Sequence, residues 1–372
     1  MQPLTNHQVF ALLTFLTLPY IFITGHIPPI LARLVGNNGW LVTLSVLLPG
    51  ILLVMVYYLL VKNSARPFPL MLEEHLGKPM GKALGLLYII VFILMAVLTL
   101  RSFVSFVQSN VLPTIPISIL ISFVLLPALY SVKNGLNVSA RVIELILPVF
   151  LILLAFVLIT GMSQKPILSR LLPVGYFPSL KSLPQALLIS FVPLGNIFFI
   201  LTLAFFCQEA QLKKLLSYSL LLYIGITVAV NAFLITIQGA SLTALLTCPM
   251  CTFTRSISVG GFIRNIEVVL VSIFLVGVFA AFTIQLFMIC YTSQQVFSLK
   301  DYRFMASPVS LLLGFLSILI APNIKVLTVI WEKMAPVFFC VFLILIPVIL
   351  FLVIIIKNNP QAGPSPNPSQ GQ

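Results

Sequence analysis

The sequence predicts an all-α integral membrane protein with ten transmembrane helices. Of its 372 residues, 60% are hydrophobic and only 7% are charged, whereas a soluble domain carries about 25% charged residues. The hydrophobic residues are grouped in stretches close to the ~20 residues that a helix needs to cross a bilayer. So few charges would not keep a soluble surface hydrated, and the connections between the stretches are too short to form a separate catalytic domain.

Ten predicted spans follow one another along the chain. They cover residues 8–31, 40–61, 83–111, 117–132, 141–159, 183–206, 215–237, 266–297, 306–320 and 336–356. We predict a single transmembrane domain over residues 1–356. The remaining residues, 357–372, are rich in Pro, Gly, Ser and Gln and predict a disordered tail.

The basic residues indicate the orientation of the chain. An even number of spans places both termini on one side of the membrane. If that side is the cytoplasm, eleven Lys and Arg residues lie beside the spans on the inner side and eight on the outer side, as the positive-inside rule prefers. We attribute the net charge of +13 to contacts with anionic lipid. We predict no nucleic-acid binding, because no basic stripe alternates with aromatic residues.

Two of the predicted spans are interrupted by helix-breaking residues. The first span contains Pro19, Gly25 and Pro28, and the sixth contains Pro193 and Gly195 near its middle. Proline removes a backbone hydrogen bond and clashes with the preceding turn, so both spans are predicted to unwind locally. Unwound backbone at this depth is tolerated only where protein or a cavity satisfies its polar groups.

The two interruptions lie five spans apart, each in the first helix of one half of the chain. This spacing indicates a five-plus-five inverted repeat, over residues of about 8–159 and 183–356, with a binding site at the bilayer midplane. The alternative is that the prolines only kink two packed helices.

Several segments resemble the spore-germination permease-like family, the B subunits of bacterial germinant receptors. The resemblance is carried by HQVFALLTFL…LARLVGNNGWL, EEHLGKPMGKALGLLY, LRSFVSFVQSNVLPTIP, ARVIELILPVF, FVPLGN, GGFIRNIEVVLVSIFLVGVF and SLKDYRF. It extends from about His7 to Ile356. One departure is that Ser102 and Ser105 stand where the family often has a carboxylate.

The resemblance implies a fold similar to amino acid–polyamine–organocation transporters, with ten helices in two inverted repeats. It implies a receptor subunit in the spore inner membrane that works with an A subunit and a lipoprotein C subunit. Such a subunit would bind a small germinant, an amino acid, in the midplane cavity. The alternative is a secondary transporter that carries an amino acid or an ion by alternating access.

The same resemblance implies which residues line the cavity. They are Gly25 in the first span, Val97 and Leu98 in the third, Leu194, Gly195 and Asn196 in the sixth, and Thr283 in the eighth. Free N–H and C=O groups at broken helices would hold the carboxylate and ammonium of an amino acid. For Thr283 the alternative is a hydrogen bond to the backbone four residues earlier.

Arg101 is the one basic residue inside a span, where an ionisable group is costly and usually functional. It shares a helix face with Ser105, Gln108 and Ser109. Counting along the spans places Arg101 and Glu267 near the outer boundary, so we predict an ion pair between them across the cavity mouth. The alternative is that Arg101 extends to the outer interface.

No set of residues indicates catalysis, a metal or a cofactor. Cys248 and Cys251 form a CxxC pair without a second ligand pair, so a loop disulfide or chance explains it. The sequence contains no GxSxG, Walker or HExxH motif. We therefore predict that the protein is not an enzyme.

Overall fold

The computed structural model describes residues 4–18, 27–63, 66–207, 209–257 and 267–358. Within these ranges the regular structure is helical and contains no β-strand. The α-helices are α1 Asn6–Thr17, α2 Ile27–Val35, α3 Gly39–Ser45, α4 Leu47–Asn63, α5 Phe68–Leu76, α6 Lys78–Asn110, α7 Ile117–Asn134, α8 Leu136–Gly161, α9 Leu183–Phe191, α10 Ile200–Leu203, α11 Glu209–Gln238, α12 Ala240–Leu245, α13 Pro249–Ser256, α14 Glu267–Phe297, α15 Arg303–Leu319, α16 Ile324–Val329, α17 Ala335–Cys340 and α18 Ile346–Asn358.

The described helices confirm an integral membrane protein. Eight helical stretches are long and apolar enough to cross a membrane, and α15 is a shorter apolar helix. The first predicted span is divided between α1 and α2, and its Pro19 and Gly25 lie outside the described residues. The ten-helix repeat therefore stays a prediction. The last helix extends to Asn358, and the rest of the predicted tail also lies outside the described residues.

Hydrogen bonds between connections define two ends of the helix bundle. At the near end, the Leu4 N–H donates to the Phe206 carbonyl over 2.8 Å, and the Asn6 Nδ2 donates to Gln211 Oε1 over 2.7 Å. At the far end, an Arg255 Nη2 donates to the Asn110 carbonyl over 2.7 Å. Helices α1, α6, α8, α11 and α15 begin at the near end.

Four stretches of chain form an enclosed core, in which every residue is buried. These stretches are residues 11–18, 95–107, 192–203 and 280–293, which fall in predicted spans one, three, six and eight. Helix α6 packs along α14, and α1 contacts both α14 and residues 192–199. Helices that are covered on all sides belong to the interior of a bundle. Other helices expose large apolar side chains, such as Phe123 on α7 and Leu145 on α8.

The sixth span leaves α-helical geometry where the sequence predicts a break, but the predicted unwinding is wrong. Helix α9 ends at Phe191 and Val192–Phe199 continues as a 3₁₀-helix, a tighter winding that seldom extends beyond three or four residues. The tighter turn keeps local hydrogen bonds around Pro193, whose carbonyl accepts from Asn196 Nδ2 over 3.0 Å. Pro193 therefore lies in a tightened helical turn and not in an open loop.

The last span contains two π-helical segments that the sequence analysis did not predict. They are Ile330–Met334 and Val341–Leu345. A proline inside a helix clashes with the carbonyl four residues earlier and cannot donate to it. Pro336 and Pro347 stand four residues after Glu332 and Leu343, one in each π segment. The two prolines thus account for both departures from α-helical winding.

Candidate functional site

The predicted lining residues that the structure describes all belong to the enclosed core. Val97, Leu98, Leu194, Asn196 and Thr283 are each at most 4% exposed, and Gly195 is buried as well. Gly25 lies outside the described residues. Helices α6 and α14 are joined at this level, because Gln285 Nε2 donates to Thr99 Oγ1 over 3.2 Å. The role of these residues in binding stays a prediction.

Gly195 allows the 3₁₀ segment to approach the last span closely. A Cβ atom added at Gly195 would lie 3.0 Å from Leu343 Cδ1 and 3.1 Å from Leu343 Cβ. Real Cβ contacts are rarely that short, so a larger residue here must displace Leu343. The interruption of the sixth span therefore meets the π segment of the tenth directly.

Two tyrosines donate hydrogen bonds to the same π segment. The Tyr57 hydroxyl donates to the Leu343 carbonyl, and the Tyr88 hydroxyl donates to the Phe342 carbonyl over 2.7 Å. Pro347 cannot supply the α-helical donor for the Leu343 carbonyl, and a buried carbonyl without a donor is costly. Neither tyrosine is among the site residues that the sequence predicts. The position of Pro347 was the available signal that a carbonyl four residues earlier needs a donor from another helix.

An aromatic cluster closes the enclosed core towards the near end. It consists of Tyr57, Phe68, Tyr88, Phe92 and Phe198, all of which are fully buried. Tyr88 and Phe198 stack with ring centroids 5.2 Å apart. Phe68 meets the edges of both rings at 4.8 and 4.7 Å. Because Phe198 belongs to the 3₁₀ segment, the interruption of the sixth span is packed directly against this cluster.

Unpartnered polar atoms occur inside the enclosed core. The side-chain oxygens of Thr14, Asn196, Thr202 and Thr292 are buried and have no hydrogen-bond partner. Buried polar atoms normally have protein or water partners, so these four oxygens are available to a water or a small polar ligand. Thr283 is different, because its hydroxyl donates to the Phe279 carbonyl over 2.7 Å. The backbone-bonded alternative for Thr283 is therefore observed.

The predicted ion pair between Arg101 and Glu267 is not formed in the described part of the chain. Arg255, carried by α13, donates to Glu267 through Nη2 over 2.6 Å and through Nε over 2.8 Å. These hydrogen bonds raise the pKa of Arg255 above its ordinary value. Counting residues along a span gives the depth of a residue in the membrane but not which helix lies next to it. The count therefore could not reveal that α13 brings Arg255 to Glu267.

Arg101 itself is 4% exposed, so the alternative that it extends to the interface is not observed either. Its neighbour Ser102 contacts the last span, because Trp331 Nε1 donates to Ser102 Oγ over 3.0 Å. Arg101 therefore lies in the enclosed core, one helical turn beyond the predicted lining residues of α6.

The far end is held together by polar contacts. Asn38 is 1% exposed, and its Nδ2 donates to the carbonyls of Tyr176 and Pro173 over 2.6 and 3.2 Å. Its Oδ1 accepts from the Gly175 N–H over 3.1 Å. Asn38 thus fastens the connection after α8 to the start of α3.

A cleft of about 480 Å³ opens beside Asn38 at the far end, between Arg33 and the small residues Ala240 and Ala244. Close by in sequence, Cys248 and Cys251 form a disulfide at the start of α13, so the loop disulfide is observed. Among the described residues, no group of three or more His, Cys, Asp or Glu side chains could hold a metal ion.

Comparison with known proteins identifies the family. The spore germination protein family matches residues 3–325. This chain belongs to that family. Spore germination protein KB of Bacillus subtilis (strain 168) is 24% identical over 336 residues, which cover 87% of this chain and 88% of the relative. Spore germination protein YndE of the same organism is 27% identical over 296 residues, covering 76% of each chain.

Solved structures support the fold of this family member. Crystal structures of the Eremococcus coleocola manganese transporter, in two mutant forms, match with a TM-score of 0.56 and 13% identity. Each match covers 94% of this chain and 84% of the transporter. At this identity the similarity shows the fold alone. The spore germination protein therefore has a transporter-like helical fold, and its family is one of membrane proteins rather than enzymes.

Proposed function

We propose that this spore germination protein is the B subunit of a germinant receptor and binds an amino acid in its enclosed core. The observation that carries the proposal is the 3₁₀ interruption of the sixth span, inside a fully buried segment and next to unpartnered oxygens of Asn196 and Thr202. A stretch of 3₁₀-helix in the middle of a span often marks a functional position, and interrupted spans in transporter-like folds adjoin the binding site. Membership of the spore germination family supports a role in germination.

The proposed site is small and largely uncharged. Val97, Leu98, Leu194, Gly195, Asn196 and Thr283, together with Gly25, would line it. Apolar side chains limit the size of the ligand, and main-chain groups of the interrupted spans supply N–H donors and C=O acceptors. A zwitterion of the size of a small amino acid satisfies both kinds of group at once.

Binding would shift the balance between two conformations that partner subunits detect. The partners are A and C subunits of the same receptor, and the location is the inner membrane of the spore. The near end would face the cytoplasm, as the distribution of basic residues favours. A ten-helix, five-plus-five inverted repeat would place the site between the two halves.

Transport is the second candidate function, and the transporter-like fold favours it. An alternating-access transporter would use the same core but would release its ligand on the opposite side. Sensing requires only binding and a change of conformation.

Both candidates are tested with the purified full chain in nanodiscs and in liposomes. Each ¹⁴C-labelled L-amino acid is measured for binding in nanodiscs and for uptake into liposomes. The proposal predicts saturable binding of a small subset of amino acids and no accumulation. Uptake by this chain alone would support the transporter, and no binding of any amino acid would contradict both functions.

A further inference from the structure

Arg101 is a buried cation to which the described residues supply no counter-charge. Its side chain is 4% exposed, and its Nε and Nη1 atoms are buried without a hydrogen-bond partner. It belongs to residues 95–107, a stretch that is enclosed on every side. An uncompensated charge at such a place is strongly unfavourable.

The acidic residues near the far end form ion pairs with arginines other than Arg101. The chain has seven acidic residues, and only Glu267 and Glu332 lie near the far end. Glu267 pairs with Arg255 at 2.6 Å. Glu332 pairs with Arg33 at 3.1 Å. Neither carboxylate lies within ion-pair distance of Arg101 in the described structure.

The other five acidic residues lie on the near-end side of the chain. They are Glu73, Glu74, Glu144, Glu209 and Asp301. Arg101 stands 23 residues after the first residue of α6, Lys78, which corresponds to about 35 Å along the helix. Glu144, the deepest of the five, is eight residues into α8 from Leu136, or about 12 Å from that end. In the part of the chain that the structure describes, no acidic side chain therefore neutralises Arg101.

We infer that Arg101 binds the carboxylate of the ligand in the enclosed core, so that the germinant is a small carboxylic acid anion. This inference rests on the proposed function and names the class of its ligand. The guanidinium presents a planar fork of N–H donors that matches the two oxygens of a carboxylate. Arg101 follows Val97 and Leu98 by four and three residues, which places it about 4.5–6 Å further along the helix.

This assignment fits the polarity of the rest of the core. The other unpartnered groups, in Thr14, Asn196, Thr202 and Thr292, are neutral oxygens. The Asn196 amide oxygen only accepts hydrogen bonds and the threonine hydroxyls can accept or donate, but none of the four carries a positive charge to match a carboxylate. Arg101 supplies the charged donors that the described core otherwise lacks.

The test compares an acid with its amide. The full-length protein in nanodiscs is first screened with labelled L-amino acids, and the best binder is competed with its own α-amide, which keeps the ammonium group but lacks the carboxylate. We expect the amide to bind at least about tenfold more weakly than the acid. Equal affinity of the two compounds, with binding itself intact, would overturn the inference and leave the proposed function standing. No binding of any amino acid would contradict the proposed function itself.

Substitutions of Arg101 test whether its guanidinium causes the preference for the acid over the amide. Arg101→Gln is expected to lower the affinity for the acid at least about tenfold and to leave the affinity for the amide unchanged. Arg101→Lys, which keeps the charge but not the fork, is expected to give an intermediate loss. Arg66→Gln is the matched control, because Arg66 pairs with Glu74 at 3.8 Å in the exposed near-end connection.

Three outcomes would overturn the assignment. One is an equal loss of affinity for the acid and for the amide in Arg101→Gln, which indicates a structural role of Arg101. Another is wild-type affinity for the acid in that variant. The third combines two observations. Chloride alone, without an amino acid, raises the thermal stability of the wild-type protein but not of Arg101→Gln, and the wild-type protein binds the acid and the amide equally well. If Arg101→Gln does not fold, the ratio of acid to amide affinity in Arg101→Lys decides.

Discussion

The two ends of the helix bundle are closed by different kinds of contact. Towards the near end, the aromatic cluster of Tyr57, Phe68, Tyr88, Phe92 and Phe198 fills the space below the 3₁₀ segment. At the far end, hydrogen bonds and ion pairs add to aromatic contacts such as Phe106 with Phe274, and several of these polar contacts are partly exposed, such as Arg255 with Glu267. The near end has the larger aromatic cluster besides hydrogen bonds such as that of Asn6 with Gln211, and the far end depends more on polar groups that water can replace.

The magnitudes indicate which end opens more easily. Aromatic pairs contribute about 0.5–1.5 kcal/mol each beyond their buried area, and Phe198 alone meets four other rings of the cluster. An exposed ion pair contributes about 0–1 kcal/mol, and the side chains of Arg255 and Glu267 are 48% and 21% exposed. We therefore expect a ligand to enter the core from the far end.

The largest effect is expected where the sixth span meets the last one. Gly195→Leu should displace Leu343, destabilise the protein by about 1–3 kcal/mol and abolish amino-acid binding. Gly225→Leu is the control, because no atom lies within 4 Å of a Cβ added at Gly225. Thermal unfolding and binding are measured for both variants. Equal melting temperatures and equal binding in the two variants would show that the close contact between Gly195 and Leu343 contributes to neither stability nor binding.

The next effect concerns the hydrogen bond from Tyr57 to the Leu343 carbonyl. Tyr57→Phe keeps the ring in the aromatic cluster but leaves the carbonyl without its donor, at a cost of about 1–3 kcal/mol. Tyr130→Phe removes a hydroxyl from a side chain that is 72% exposed and should change stability little. A similar melting temperature for Tyr57→Phe and wild type would show that the π segment satisfies this carbonyl by itself.

At the far end, Asn38→Ala should have the largest effect. The substitution removes three hydrogen bonds to the connection that contains Gly175. We expect limited proteolysis of residues 165–182 to become faster, with a loss of about 1–3 kcal/mol in stability. Asn37→Ala, which removes one bond to the Leu172 carbonyl, is the milder control. An unchanged rate of proteolysis in Asn38→Ala would show that these hydrogen bonds do not hold the connection in place.

The smallest effect is expected for the ion pair of Arg255. Glu267→Gln should cost less than about 1 kcal/mol, and the cost should shrink at high salt. The melting temperature at low and high salt measures this. A large cost that salt does not reduce would show that the far end is closed as firmly as the near end, and the comparison of the two ends would be wrong.

The sequence was sufficient to predict the membrane fold and its family. The apolar stretches and the motifs around the sixth and eighth spans are local patterns, and the described helices follow them. The departure from α geometry near Pro193 was also predictable, because a proline acts on its own helix. The tightened 3₁₀ winding was not, since it depends on neighbours such as Leu343.

Contacts between distant segments could not be predicted from depth alone. The partner of Glu267 is Arg255, twelve residues earlier, because the chain turns back through α13 before α14 begins. The contact of Tyr57 with the Leu343 carbonyl joins residues 286 positions apart. Such pairs depend on how the helices rotate and cross, which periodicity in a single sequence does not specify.

Hydrogen–deuterium exchange tests the central claim most directly, with no substitution in the protein. Exchange is followed in nanodiscs with and without the best-binding amino acid from the screen. If the ligand binds in the enclosed core, peptides that cover residues 192–206 and 95–107 should exchange more slowly, while the peptide of α7, Ile117–Asn134, stays unchanged. Protection confined to the far-end cleft around Asn38 and Ala240–Leu245, with no change in residues 192–206, would contradict the account.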